Sequence, residues 1–134
     1  MAQLQVARWK VPLISRHVRR LKSKHTHDIA LFPGVGAMLR ALQDAGVRLA
    51  LVSSDSEDNV RRLLGSENVA LFCHFDCGAS LFGKAAKFRR AMRLTGAAPA
   101  NTIAIGDELR EIEAARAAGI AFGAVTWGYA APEV

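Results

Sequence analysis

Cysteine is scarce in this chain: its 134 residues hold two, Cys73 and Cys77. A structural zinc needs four ligands at characteristic spacing, and Cys73-His-Phe-Asp-Cys77 has no second pair to complete it. Cys73 is therefore expected to pack as a small apolar residue in a strand, with Cys77 in the loop that follows. Long apolar runs are also missing, and none reaches the roughly 20 residues a membrane helix requires. The first 24 residues are broken by Arg8, Lys10, Pro12 and Arg16, which argues against a secretory signal. Reduced thiols without such a signal point to the cytoplasm. Acid is in deficit: 12 acidic side chains face 18 basic ones, giving a formal charge of +6. Much of the excess lies in Arg16, His17, Arg19, Arg20, Lys22, Lys24 and His25. No nucleic-acid motif accompanies that cluster, so it reads as the solvated face of a helix. The expected partners include neither nucleic acid nor membrane. His25-Thr-His27-Asp28 has ligand-like residues but sits in a polar link, and reads as exposed connection.

About half the residues are apolar (51%), enough for one domain with a real core. Their spacing alternates between two periods. Val6, Trp9, Leu13, Ile14, Val18 and Leu21 mark a helical face over residues 4–22. A polar link follows over 23–33. Val35, Met38, Leu39 and Leu42 mark a second helix, stopped at Gly46. Residues 47–52 form a short apolar run, read as a buried strand. Ser56-Glu57-Asp58 caps the next helix, which Gly65 ends. Further strands are expected at 69–75, 102–105 and 122–126, with helices over 84–94 and 108–118. Strands alternating with helices predict a parallel sheet wrapped on both faces, an α/β Rossmann-like core. Such sheets place their sites at the carboxyl ends of the strands.

Three strand ends carry chemistry. Ser53 and Ser54 follow the first strand at a helix start, where hydroxyls and backbone N–H groups suit a phosphate; a serine turn that caps the helix explains them equally. Lys84 opens a helix, where a cation gains nothing from the dipole and is better explained by an anion it meets, although a solvated lysine is the commoner case for any single lysine. Lys87, one turn on, competes for that role. Asp107 sits where the third strand meets a helix, and Glu111 is one turn further on the same side. Carboxylates there suit Mg²⁺, which takes few protein ligands besides water and phosphate. An N-cap aspartate with a first-turn glutamate explains the pair as well. The order discriminates: serine, lysine and aspartate after successive strands form a set that stabilises a phosphoryl group.

With these residues in place, the chain resembles the haloacid dehalogenase superfamily, near its phosphoglycolate-phosphatase-like branch. Phe32-Pro-Gly-Val35 and Leu49-Ala-Leu-Val-Ser-Ser54 resemble the approach to the second motif, with Ser53 in the phosphate-binding position. Leu81-Phe-Gly-Lys84 resembles the third motif, and Lys84 takes its lysine. Ile103-Ala-Ile-Gly-Asp-Glu-Leu-Arg-Glu-Ile-Glu-Ala-Ala-Arg-Ala-Ala-Gly-Ile120 resembles the fourth, with Asp107 as the metal-binding aspartate and Glu111 where a second aspartate is usual. Val125-Thr-Trp-Gly128 resembles the strand and turn beyond. The resemblance implies a Mg²⁺-dependent hydrolase of small phosphorylated metabolites. Its catalytic set would be Lys84 and Ser53, and its phosphate ligands Ser53, Ser54 and Lys84. It implies metal binding by Asp107, with Glu111 secondary.

The first motif of that superfamily, Asp-x-Asp, supplies its nucleophile and its acid/base, and no Asp-x-Asp occurs in the 134 residues. Asp28-Ile-Ala-Leu lies in a link with no preceding strand and does not qualify. Residues 1–30 resemble the last helix and linker of the family's helical cap, and 31–134 the core. The chain also stops short of the usual C-terminal end, so it is expected to be an internal piece. The family's first strand lies between those predicted at 47–52 and 102–105. Three outcomes are expected: direct pairing of those strands, filling by the N-terminal segment, or filling by another chain through self-association. The rival expectation is a non-catalytic phosphate-binding or interaction module of the same fold.

Overall fold

The computed structural model describes residues 30–80 and 83–127. The predicted helix over 4–22, the basic cluster, His25-Thr-His27 and the cap remnant lie outside those residues, as do Leu81, Phe82 and Gly128. Within them the chain alternates as predicted. The order is α1 (Val35–Asp44), β1 (Leu49–Val52), α2 (Glu57–Val69), β2 (Phe72–Asp76), α3 (Gly83–Thr95), β3 (Ile103–Gly106), α4 (Leu109–Ala118) and β4 (Ala121–Ala124). A 3₁₀ turn, Pro99–Asn101, leads into β3.

The helix starts follow from local chemistry. Ser56 caps α2, its Oγ accepting the Asn59 N–H at 3.3 Å, while Glu57 and Asp58 favour the positive end of the helix. The predicted stop at Gly65 is half of what happens. Gly65 leaves helical geometry at φ 74°, ψ 157°, a region essentially restricted to glycine. A further turn then carries the helix to Val69, braced by Asn68 Nδ2 donating to the Leu64 carbonyl at 2.8 Å. That turn moves the start of β2 from the predicted residue 69 to Phe72.

Among the described residues all strand pairing is parallel. β1 pairs with β2 and β3 with β4, as two two-stranded sheets. The β1–β2 register slips between Leu49 and Ala50, so β2 carries one extra residue, Cys73. Cys73 is consequently exposed, its thiol donating to the Leu49 carbonyl at 3.1 Å. This corrects the expectation that it packs inside. The run over 47–52 is likewise less buried than expected. Val47 precedes the strand and is exposed, and Leu49, Leu51 and Val52 are half-buried. The reason is topological: among the described residues β1 has one neighbour, β2. Direct pairing of β1 with β3, one of the three expected outcomes, does not occur. Ile103 and Ile105 of β3 remain 59% and 60% exposed.

The core lies where α3, α4 and the second sheet meet. Met92, Ala115, Ala118 and Ile120 are buried together, with Phe88, Ala104 and Phe122 packed against them. Ala115 is fully inaccessible. Alanines at 91, 114, 115 and 118 keep the α3 and α4 backbones close, which brings the start of α4 beside the start of α3. That proximity assembles the site.

Candidate functional site

At the end of β1 the ladder runs one residue further, with the Ser53 N–H donating to the Asp76 carbonyl at 3.1 Å. The chain then turns sharply. Ser53 Oγ accepts the Asp55 N–H at 3.1 Å, and the Asp55 carboxylate accepts the Ser56 N–H at 2.8 Å and Asn59 Nδ2 at 3.1 Å. The Asp55 carbonyl in turn accepts the Gly78 N–H at 2.6 Å, joining this turn to the loop after β2. Both serines are thereby presented at the carboxyl end of the sheet.

Lys84 and Lys87 project from one face of α3, a turn apart. Lys84 forms an ion pair with Glu111 of α4. Lys87 is 6% exposed and donates to three backbone carbonyls: Ser53 at 2.7 Å, Asp76 at 3.0 Å and Gly78 at 2.7 Å. The Asp76 carboxylate, also buried, lies 3.4 Å from Lys87 Nζ and 3.6 Å from Arg90 Nε. A buried charge is tolerable only when paired and hydrogen-bonded, and Lys87 is both.

The start of α4 differs from the simple cap reading. Glu108, not Asp107, occupies the N-cap position. Glu111 curls back, its Oε2 accepting the Glu108 N–H at 3.4 Å while its Oε1 meets Lys84. Gly106 makes room for this. A Cβ there would lie 1.8 Å from Glu111 Oε2, so the carboxylate crosses the strand end where any other side chain would stand. Arg110 pairs with Glu108, and that carboxylate holds the guanidinium even further above its already high range. Asp107 is half-buried between β3 and α4.

An open cavity of about 320 Å³ lies among these groups, lined by Ser53, Ser54, Ser80, Lys84, Lys87 and Arg110 together with two glycines. The structure thus brings together Ser53, Ser54 and Lys84. It brings Glu111 to them through the Lys84 ion pair. Asp107 follows β3, in the other sheet, and is not among the residues that line the cavity. Sequence reasoning missed Arg110 and Ser80 and set Lys87 behind Lys84. The signal for Arg110 was its place one turn beyond Asp107 in the same motif. Nearby, burial pushes the Cys77 thiol up from its ordinary value, with the Glu57 carboxylate adding to it.

Among the described residues no group of three or more His, Cys, Asp or Glu gathers to hold a metal. An all-protein metal cage is therefore missing there. Asp107 still fits Mg²⁺, which keeps several waters and binds through one or two carboxylates plus phosphate. Both oxygens of Glu111 have partners, Lys84 and the Glu108 N–H, and a metal there would have to displace them. No helix among the described residues is long and apolar enough to cross a membrane.

Parallel strands between helices, with a cation-rich cavity at the strand ends, define an α/β protein of the Rossmann-like class. A family model described as haloacid dehalogenase-like hydrolase matches residues 1–125, and the chain belongs to that family. A phosphoglycolate phosphatase of Synechococcus elongatus is 30% identical over 122 residues, covering 90% of this chain and 58% of its own length. The tyrosine-protein kinase PtkA of Mycobacterium tuberculosis is 33% identical over 104 residues, covering 75% of this chain and 36% of the kinase. The crystal structure of CbbY from Rhodobacter sphaeroides in complex with phosphate superposes with a TM-score of 0.78 at 24% identity, covering 100% of this chain and 64% of that one. The chain therefore spans little more than half the length of the phosphatase it matches.

Proposed function

We propose that this chain is the core of a phosphohydrolase of small phosphorylated metabolites, able to bind phosphate but turning over slowly or not at all by itself. The observation that carries the reading is the convergence of Ser53, Ser54 and Lys84 on one cavity at the strand ends. Ser53 Oγ accepts the Asp55 N–H, which leaves its own hydrogen to donate to a phosphate oxygen. Ser54 stands beside the N-terminus of α2, where the helix favours negative charge. Lys84 supplies the cation, exchanging Glu111 for phosphate. In this reading Asp107, with Glu111 secondary, holds Mg²⁺, which when bound neutralises charge on the phosphate oxygens. Covalent transfer needs an activated nucleophile, and the 134 residues contain no Asp-x-Asp. Residues 1–30 and 31–134 are proposed to be cap-derived linker and core, in a cytoplasmic setting.

A phosphatase assay on the chain with Mg²⁺ and a small phosphomonoester tests this. Turnover indistinguishable from buffer is expected. Robust hydrolysis would show that another group supplies the nucleophile. The missing Asp-x-Asp also favours a second reading, a non-catalytic phosphate-binding module; saturable phosphate binding without hydrolysis, kept when the upstream coding sequence is included, would select it.

A further inference from the structure

We propose that Lys87 is the positioning residue of this site: it fixes the ends of β1 and β2 by binding their carbonyls, and leaves contact with the anion to Lys84. The inference rests on the phosphate-binding reading above and divides the work between two lysines that look interchangeable in sequence. An ammonium has three N–H donors, and all three of Lys87 are matched by carbonyls, those of Ser53, Asp76 and Gly78. To bind a phosphate oxygen, Lys87 would have to release one of them inside a buried pocket. Lys84 is paired with one side-chain carboxylate, that of Glu111, which can be exchanged for an anion without breaking a backbone contact.

The three carbonyls belong to two pieces of chain. Ser53 lies at the turn after β1, Asp76 ends β2, and Gly78 is in the loop beyond. Three carbonyl oxygens repel one another when they converge, so a cation at the centre is what lets them do so. The same segments are linked by the Ser53 N–H to Asp76 carbonyl bond and the Gly78 N–H to Asp55 carbonyl bond. Lys87 therefore sets where the Ser53 hydroxyl and the Ser54 turn stand. Asp76 balances its charge from 3.4 Å away.

The test is hydrogen exchange and phosphate titration on the full chain, comparing wild type with Lys87→Met and Lys84→Met. Lys87→Met should accelerate exchange of the Ser53 and Gly78 amides at least tenfold. The Ile120 and Val125 amides, hydrogen-bonded to Ala115 and Gly106, should keep their wild-type rates. Affinity for inorganic phosphate should fall at least tenfold. Lys84→Met should lose phosphate affinity without loosening those two amides. Uniform acceleration in Lys87→Met would reduce the residue to general stability and overturn the proposal, as would unchanged exchange or unchanged affinity. If Lys87→Met does not fold, Lys87→Arg keeps the charge with the wrong shape, and the same selective loosening is expected. If wild type binds no phosphate, the functional reading falls, and local loosening alone decides the role of Lys87.

Discussion

Glu111 is the residue on which two roles compete. As a metal ligand it would help hold Mg²⁺; as the partner of Lys84 it occupies the cation that phosphate needs. Its two oxygens are engaged by Lys84 and the Glu108 N–H, which favours the second role. Glu111→Gln is therefore expected to strengthen phosphate binding about three- to tenfold in the absence of Mg²⁺, read by titration calorimetry. Weakened binding would return Glu111 to a supporting role in the site. Cys77 gives a second check at this scale. Its raised pKa keeps it a thiol in the folded state at pH values where an unfolded chain would ionise. Iodoacetamide should thus modify exposed Cys73 before Cys77 at neutral pH. The stability contributed by the protonated thiol is present below its ordinary value near 9 and is lost as pH rises beyond it. Cys77→Ala should flatten that decline in a denaturation series, and an unchanged decline would assign it to other groups. Ser53, Ser54 and Lys84 were legible in sequence because each directly follows a strand or opens a helix. Arg110 and the different partners of Lys84 and Lys87 were not, since they depend on how α4 and the ends of β1 and β2 lie against α3.

Among the elements, α2 shows what a single glycine does. Gly65 turns the chain through φ 74°, ψ 157° and restarts the helix for one more turn. Nothing lies within 4 Å of where its Cβ would stand. A Gly65→Ala change should therefore act through backbone strain alone, costing about 1–3 kcal/mol in a denaturant titration. A neutral result would mean that residues 66–69 adjust without strain. The order of helices and strands was readable because their apolar periods differ and glycines or caps mark most boundaries. The start of β2 was misplaced for a specific reason. Val69 and Leu71 look like strand residues, and only Asn68 bonding back to the Leu64 carbonyl reveals the extra turn. The bulge at Cys73 was equally hidden, because a register slip depends on the partner strand rather than on the residue itself.

At the scale of the molecule, the two halves of the sheet meet through helices rather than through hydrogen bonds between β1 and β3. The α3 helix packs on both strands of the first sheet and on α4, which covers the second. That arrangement positions the cavity while leaving β1 and β3 unpaired with each other. Of the outcomes expected from sequence, filling by the N-terminal segment or by a second chain remains proposed, and the oligomeric state distinguishes them. The family resemblance foresaw the layered α/β architecture. It did not foresee how little of β3 would be covered, since burial of Ile103 and Ile105 depends on what lies beside them. The central claim is that Ser53, Ser54 and Lys84 form a phosphate site in this chain. Titrating inorganic phosphate into wild type and Lys84→Met, with and without Mg²⁺, tests it most directly. Saturable binding is predicted for wild type, strengthened by Mg²⁺ and weakened about 10- to 100-fold by Lys84→Met, the range for losing one charge-assisted hydrogen bond. No saturable binding, or binding indifferent to Lys84, would contradict it.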